Sequence, residues 1–431
     1  MSEETSKSLS RSWRNRIVAG TAIAGMLVAG GALPAAHAAT SHAGTSITLW
    51  APYSGPDRDA FISLVSGFNS SQSAVQVNYD QQSFTSYAQK LTTALSAGKG
   101  PDMWVTDNTG MTTFAEQGVL QPLEKSVKSF KTLTASNYAT NLYNGGKYNG
   151  HLYALPLDVL PTTLYYNKAL FRKAGLNPNK PPVQDLKTFL AAAKKMTKGG
   201  HYGFLVSPIW PQPFIYQSVI AQFGGKVFDV KSQKAVVNSK AGVQALKVMR
   251  DMIFTQKISP ANAAIDQDIK MMGNGTVGMI LDGPWQYTNP ALTALGSNLG
   301  YAVMPKWGSK KAVFLGTHYL VTYSKGATAA KTKAALQFAS YFETHSVAMA
   351  KAGDTPAYKP VFKTKAFKAL KFQKVLSSSV KYGVLSPNFP RYRDNFLYDA
   401  ITSVLTGKTQ DIKGALTTAA DKMTQAAKGS G

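Results

Sequence analysis

The segment ITLWAPYSGPDRDAFISLVSGF, residues 47–68, changes its hydrophobic period halfway along, and that change points to the fold class. Ile47 to Trp50 is a short apolar strand closed by the turn residues Pro52, Ser54, Gly55 and Pro56; Phe61, Leu64, Val65 and Phe68 then recur at helical spacing. The same unit repeats at once. Val75, Val77 and Tyr79 alternate as a second strand, Phe84, Tyr87, Leu91 and Leu95 mark a helix stopped by Gly98, and Met103 to Val105 gives a third strand opening at Thr106 to Gly110. Strand and helix in alternation predict a parallel sheet with helices on both faces, an α/β fold. In such sheets ligands bind beyond the carboxyl ends of the strands, which singles out Tyr53, Ser54, Asp107 and Asn108.

A second unit follows Pro156. Leu164 to Tyr166 reads as a strand, Ser239 caps a helix carrying Val243, Leu246, Met249 and Ile253, and Val277 to Leu281 is a strand ending in Asp282-Gly283-Pro284-Trp285. Phe314 to Tyr323 reads as one further strand crossing and Ala334 to Met349 as a helix. The tail from Asn395 to Ala427 reads as two helices split near Gly407, the second capped at Thr409.

Composition narrows the class. The 431 residues carry 47 Lys and Arg against 22 Asp and Glu, a net charge of +25, and 44% hydrophobic content suffices for about two packed domains. With no cysteine, a disulfide framework, a thiolate metal site and a cysteine nucleophile are excluded. Lys7, Arg11, Arg14 and Arg16 precede an apolar run from Ile17 to Leu33, and Ala36-His37-Ala38 has the small-x-small pattern cleaved before Ala39. Residues 1–38 are therefore expected to be a secretory signal, with a mature chain exported across the cytoplasmic membrane to a periplasm or cell surface. No lipobox cysteine is available for a lipid anchor. Removing that segment takes away four basic and two acidic side chains and leaves +23. The lysines are scattered and form no nucleic-acid-binding signature, so an anionic cell surface or an acidic medium is the expected reason for the charge. A chain poor in carboxylates should keep flat stability between roughly pH 3 and 5.

No Gly-x-Ser-x-Gly elbow, Walker loop, His-Glu-x-x-His or dinucleotide fingerprint occurs, and His42, His151, His201, His318 and His345 are dispersed. Neither metal nor cofactor is expected. Aromatic and amide-bearing loop residues are abundant, among them Trp50, Tyr53, Asn108, Trp210, Tyr216, Trp285, Tyr287 and Phe389. Sugar rings stack an apolar face on such aromatics while their hydroxyls need fixed polar partners.

Five segments carry a resemblance. GPDMW (100–104), AEQGVL (115–120), LYYNKALF (164–171), GMILDGPW (278–285) and SPNFP (386–390) are similar in order and spacing to the extracellular solute-binding proteins of carbohydrate ABC transporters, the maltose-binding-like class. The similarity covers nearly all of 46–428. It implies a two-lobe, periplasmic-binding-protein-like fold with mixed and parallel sheets, linked by hinge strands around a ligand cleft. The first lobe would be 46–157 plus 320–366 and the second 158–319 plus 367–431, with hinge crossings near Leu155 to Pro161 and Leu315 to Tyr319. The resemblance places Trp285 and Tyr287 at aromatic positions and Pro213-Phe214 with Tyr216 on an aromatic loop. It departs at Tyr53-Ser54-Gly55, where maltose binders carry charged groups, at Thr106 to Thr109, which replace an aromatic-acid-Arg run, and at Leu160, near which their hinge glutamate falls. Asp158 is expected to take over that role.

The leading expectation is a non-enzymatic sugar receptor that delivers its ligand to the membrane permease of an ABC importer, acting as a monomer without nucleic acid. Asp107, Asn108, Asp158 and Arg391 would bond hydroxyls, Tyr53, Trp210, Tyr216, Trp285 and Tyr287 would pack on ring faces, with Ser54 and His318 beside them. Two alternatives stand. One is a receptor for an anion such as a phosphorylated polyol, clamped by Arg391, Arg393 and His318; the other is a secreted glycoside hydrolase using a pair among Asp102, Asp107, Asp158 and Asp282.

Overall fold

The computed structural model describes residues 44–83, 86–385 and 392–428, and the side chains from 396 onward in the last segment. Residues 1–38, where a signal segment is expected, Phe84, the 386–390 segment, Arg391 and the Arg393 side chain lie outside the described residues. No described helix is long and apolar enough to cross a membrane.

Strand Thr45–Ala51 turns Ile47, Leu49 and Ala51 inward and pairs in parallel with Val75–Gln81 on one side and Met103–Asp107 on the other. Helix Gly55–Ser71 begins with Pro56 in its first turn, where the missing N–H costs nothing, and buries Phe61, Leu64, Val65 and Phe68. Those rings meet Phe338 and Phe342 of helix Ala329–His345, with Phe68 and Phe338 edge to face at 5.5 Å. Each such side chain removed from water stabilises the fold by roughly 1.5–3 kcal/mol. The expected helix over Ala334 to Met349 is in fact two, Ala329–His345 and Val347–Ala352.

The sheet is not parallel throughout. Its order is 75–81, 45–51, 103–107, 318–322, 154–156, and the last two strands run antiparallel to their neighbours. Both belong to segments through which the chain leaves and re-enters this half of the molecule. The run read as one strand from Phe314 to Tyr323 divides at Thr317 into Val313–Gly316 and His318–Thr322. The first part pairs with Asp158–Pro161, the second with Met103–Asp107 and Ala154–Pro156. Residues 154–161 divide likewise at Leu157, whose N–H donates to the His318 carbonyl at 2.8 Å. Two short crossings thus run side by side between sheets.

Beyond them, Thr163–Asn167 is the centre of a three-stranded antiparallel sheet with Met279–Asp282 and Leu299–Val303. Helices Gln212–Gln222 and Lys240–Phe254, the latter capped by Ser239 onto the Gly242 N–H, pack together and receive the C-terminal pair Tyr392–Leu405 and Ile412–Lys428. Asp411, not Thr409, caps the last helix by accepting from the Gly414 N–H at 2.8 Å; Thr409 instead accepts from the Asp411 N–H.

Candidate functional site

Where the crossings meet the strand ends lies a cavity of about 670 Å³ with two unlike walls. One is aromatic. Trp210, Phe214, Trp285 and Phe314 line it in an unbroken series: Trp285 and Trp210 face at 6.2 Å, Trp210 meets Phe214 at 4.8 Å, and Phe214 stacks on Phe314 at 4.7 Å and 4°. Trp285 follows strand Met279–Asp282, and its ring folds back over Gly283 so closely that a Cβ at 283 would lie 2.1 Å from it. Asp282 fixes this turn, accepting from the Gly283 N–H at 2.6 Å and from Gln286 Nε2 at 3.0 Å.

The other group of lining residues is acidic. Tyr53 and Asp57 come from the first strand–helix turn, Thr317 and His318 from a crossing, and Asp354 from the turn after helix Val347–Ala352. Asp158, 1% exposed behind His318, accepts from the His318 backbone N–H at 2.9 Å and pairs with its Nδ1 at 2.7 Å. Burial works against a charged imidazole, but the Asp158 carboxylate, with Asp57 and Asp107 farther off, outweighs it and raises the His318 pKa. Burial also pushes Asp57 up to about 7, His318 opposing and Asp158 adding to the rise. It raises Asp354 well above the carboxylate range, with the charges of Asp57 and Asp158 reinforcing it. Asp354 Oδ2, Tyr53 Oη and Thr317 Oγ1 are buried without a hydrogen-bond partner in the protein. The turn that carries Asp354 is held by Gln373, whose Nε2 donates to the carbonyls of Ala350, Gly353 and Asp354. Among the described residues, an oxygen of Asp158, a nitrogen of His318 and an oxygen of Asp354 lie within 4.8 Å of one another, a set able to reach one cation.

Of the residues singled out from the sequence, Tyr53, Ser54, Asp107, Trp210, Trp285 and His318 line the cavity. Ser54 precedes its helix without using its hydroxyl as a cap. Asp107 is partly engaged: its Oδ1 caps helix Asn108–Glu116 by accepting from the Gly110 N–H at 2.6 Å and from Thr109 Oγ1 at 2.8 Å. Four others stand elsewhere. Asn108 is buried in that helix's first turn, off the cavity wall. Asp158 reaches the cavity through His318. Tyr216 is fully buried with its hydroxyl on the Val237 carbonyl at 3.1 Å, because its helix is packed on every side. Tyr287 stacks on Phe372 at 4.0 Å and 6° and so turns from the cavity. Asp102, at the amino end of its strand, is occupied by Thr48 and Lys331. Asp57, Asp354, Thr317 and Phe314 were not singled out; Asp57, three residues past Ser54, carried the one usable signal.

Two α/β halves joined by paired crossing strands, with a cavity where the strands end, define a two-lobed ligand-binding protein. The description of bacterial extracellular solute-binding proteins matches residues 63–371, and the chain belongs to that family. It is 24% identical over 343 residues to the galactooligosaccharide-binding protein of Bacillus subtilis, spanning 75% of this chain and 76% of that one. The maltotriose-binding protein of Pyrococcus abyssi is 24% identical over 265 residues, 60% of this chain and 53% of that protein. Among solved structures, an ABC transporter solute-binding protein from Thermotoga lettingae bound with alpha-D-tagatose superposes with TM-score 0.74 at 27% identity, over 89% of this chain and all of that one. The cyclic alpha-maltosyl-1,6-maltose binding protein of Arthrobacter globiformis shares the fold, with TM-score 0.77 at 22% identity over 90% of this chain and 100% of that one.

Proposed function

We propose that this chain is an extracytoplasmic oligosaccharide receptor that traps its ligand between two lobes and presents it to the permease of an ABC importer. The observation that carries this is the mixed cavity lining: a continuous aromatic series for sugar ring faces, together with carboxyl and hydroxyl oxygens for hydroxyl groups. The names of the Bacillus and Pyrococcus relatives agree with it. In this reading Trp210 and Trp285 stack on rings, Tyr53, Ser54 and Asp107 meet hydroxyls, and Asp158 positions His318. The lobes are 46–157 plus 320–366 and 158–319 plus 367–431, bending at the crossings near Leu157 and Thr317. The protein works as a monomer, without catalysis.

The anion reading loses its footing, because His318 is turned to Asp158 and the described lining contains four Asp and neither Lys nor Arg. The test is a thermal-shift screen of mono- and oligosaccharides and phosphorylated polyols, with calorimetry and product analysis on each hit. A micromolar ligand at millimolar concentration should add roughly 4 kcal/mol to stability. A shift by a neutral or amine-bearing sugar, with no product formed, is expected. Shifts by phosphorylated compounds alone would overturn the proposal, and hydrolysis of the sugar would make the chain an enzyme.

A further inference from the structure

Against a net charge of +25, the polar side of the cavity is built of carboxylates. Two of them are already engaged. Asp107 caps a helix, and Asp282 holds the Trp285 turn. The Asp158 oxygens accept from the two N–H groups of His318. Asp354 differs: it is 1% exposed, it lines the cavity, and its Oδ2 has no partner within the protein. Two further buried oxygens on the same wall share that condition, Tyr53 Oη and Thr317 Oγ1, each on a residue 5% exposed. Buried polar atoms in native proteins are nearly always satisfied, so three together on a ligand cavity point to ligand donors.

The identity of the donor follows from charge. Burial raises the Asp354 pKa and so favours its neutral form in the ligand-free protein; an ammonium is the ligand group that supplies N–H donors together with the opposite charge that lets this carboxyl ionise. Asp354 Oδ2, Tyr53 Oη and Thr317 Oγ1 can each accept a hydrogen bond, and Asp57 lines the same cavity. A metal ion is the poorer match, because Asp158 and His318 are bonded to each other and would have to part. The aromatic wall requires the amine to be borne on a sugar rather than on a flexible alkyl chain.

We infer that the Asp354–Asp57–Tyr53–Thr317 wall is a subsite for a protonated amine, and that the ligand class is an amine-bearing oligosaccharide. This rests on the sugar-receptor reading and refines it. The experiment is calorimetry on the full mature chain with three matched series of one to four units: β-1,4-linked glucosamine, its N-acetylated form and the neutral glucose parent. The amine series should bind roughly tenfold to a hundredfold tighter than either counterpart, as expected for one added charge-assisted contact. In D57N and D354N that ratio should fall toward one; D57N, at a less deeply buried position, guards against a folding defect in D354N. Equal or tighter binding of the N-acetylated or neutral series would overturn the subsite and leave the receptor standing. Silence of every saccharide, here and in the wider screen, would remove both. Saturable calcium, manganese or zinc binding to the sugar-free protein, lost in D354N, would make the cluster a metal site and overturn the amine assignment.

Discussion

The aromatic and the acidic groups lining the cavity differ in what holds them in place. The aromatic group draws Trp210 and Phe214 from around the start of helix Gln212–Gln222, Trp285 from the end of one strand and Phe314 from a crossing. The acidic group takes Tyr53 and Asp57 from the first strand–helix turn, Thr317 and His318 from one crossing and Asp354 from its own turn, with Asp158 of the other crossing behind His318. A stacking surface asks only that its rings be presented. A charge cluster has to be assembled by the fold, because carboxylates in a buried group repel one another unless the scaffold holds them. Both groups are assembled from separated segments; the rings hold one another by stacking, while the acidic groups are held in place by the scaffold.

That difference can be broken from the aromatic side first. The double variant Trp210→Ala/Trp285→Ala should lose about 2 to 4 kcal/mol of ligand affinity, with little change in Tm, measured by calorimetry and thermal melts. Unchanged affinity would remove both rings from the site. Gly283→Ala keeps the ring but denies it its seat, since the added Cβ would lie 2.1 Å from Trp285. It should cost about 1 to 3 kcal/mol of affinity, and a variant binding like the parent would show that the ring's position is unimportant.

The acidic wall is tested by pH. Burial raises Asp57 to about 7 and Asp268 to about 6, and raises Asp282, Glu343 and Asp354 as well. Carboxyl groups with folded pKa values above their unfolded ones bind more protons when folded, so stability falls as pH rises from about 4 through about 7. His318 acts in the same direction: its raised pKa gives stability present below the ordinary imidazole value and lost as pH rises through the raised one. The ligand-free protein should therefore melt a few degrees higher at pH 5 than at pH 8, with a shallower slope in Asp354→Asn. A higher Tm at pH 8 would contradict these assignments. The smallest effect belongs to Ser54→Ala, whose hydroxyl caps nothing: stability should stay within about 0.5 kcal/mol, and affinity should change by no more than one neutral hydrogen bond, about 1 kcal/mol.

What the sequence revealed follows the same division. Periodicity located the strands and helices of the first unit closely, because Ile47, Leu49, Val75 and Val77 alternate and Phe61 to Phe68 recur at helical spacing. It missed the break at Thr317, since Val313–Gly316 and His318–Thr322 are both buried and apolar and only their partners distinguish them. Trp285 stood out through the Asp-Gly-Pro turn before it. Tyr216 and Tyr287 did not differ from cleft aromatics by any local sign; an apolar helix packed all round and the Phe372 ring decided their placement. Asp354 had no signal at all, because its role depends on a turn held by Gln373, nineteen positions downstream.

The seat of Trp285 has a consequence for how such a receptor changes cargo. Its stacking plate is positioned by an absent atom, so nearly every codon change at 283 acts on the whole plate at once. Cavity positions outside that turn, such as Leu160 and Thr162, can instead be exchanged one at a time, whereas Gln286 bonds Asp282 and belongs with the seat. A library selecting for a new ligand should hold residues 283 and 286 constant and randomise 160 and 162, for a lineage drifting at 283 loses its old specificity before it can acquire another.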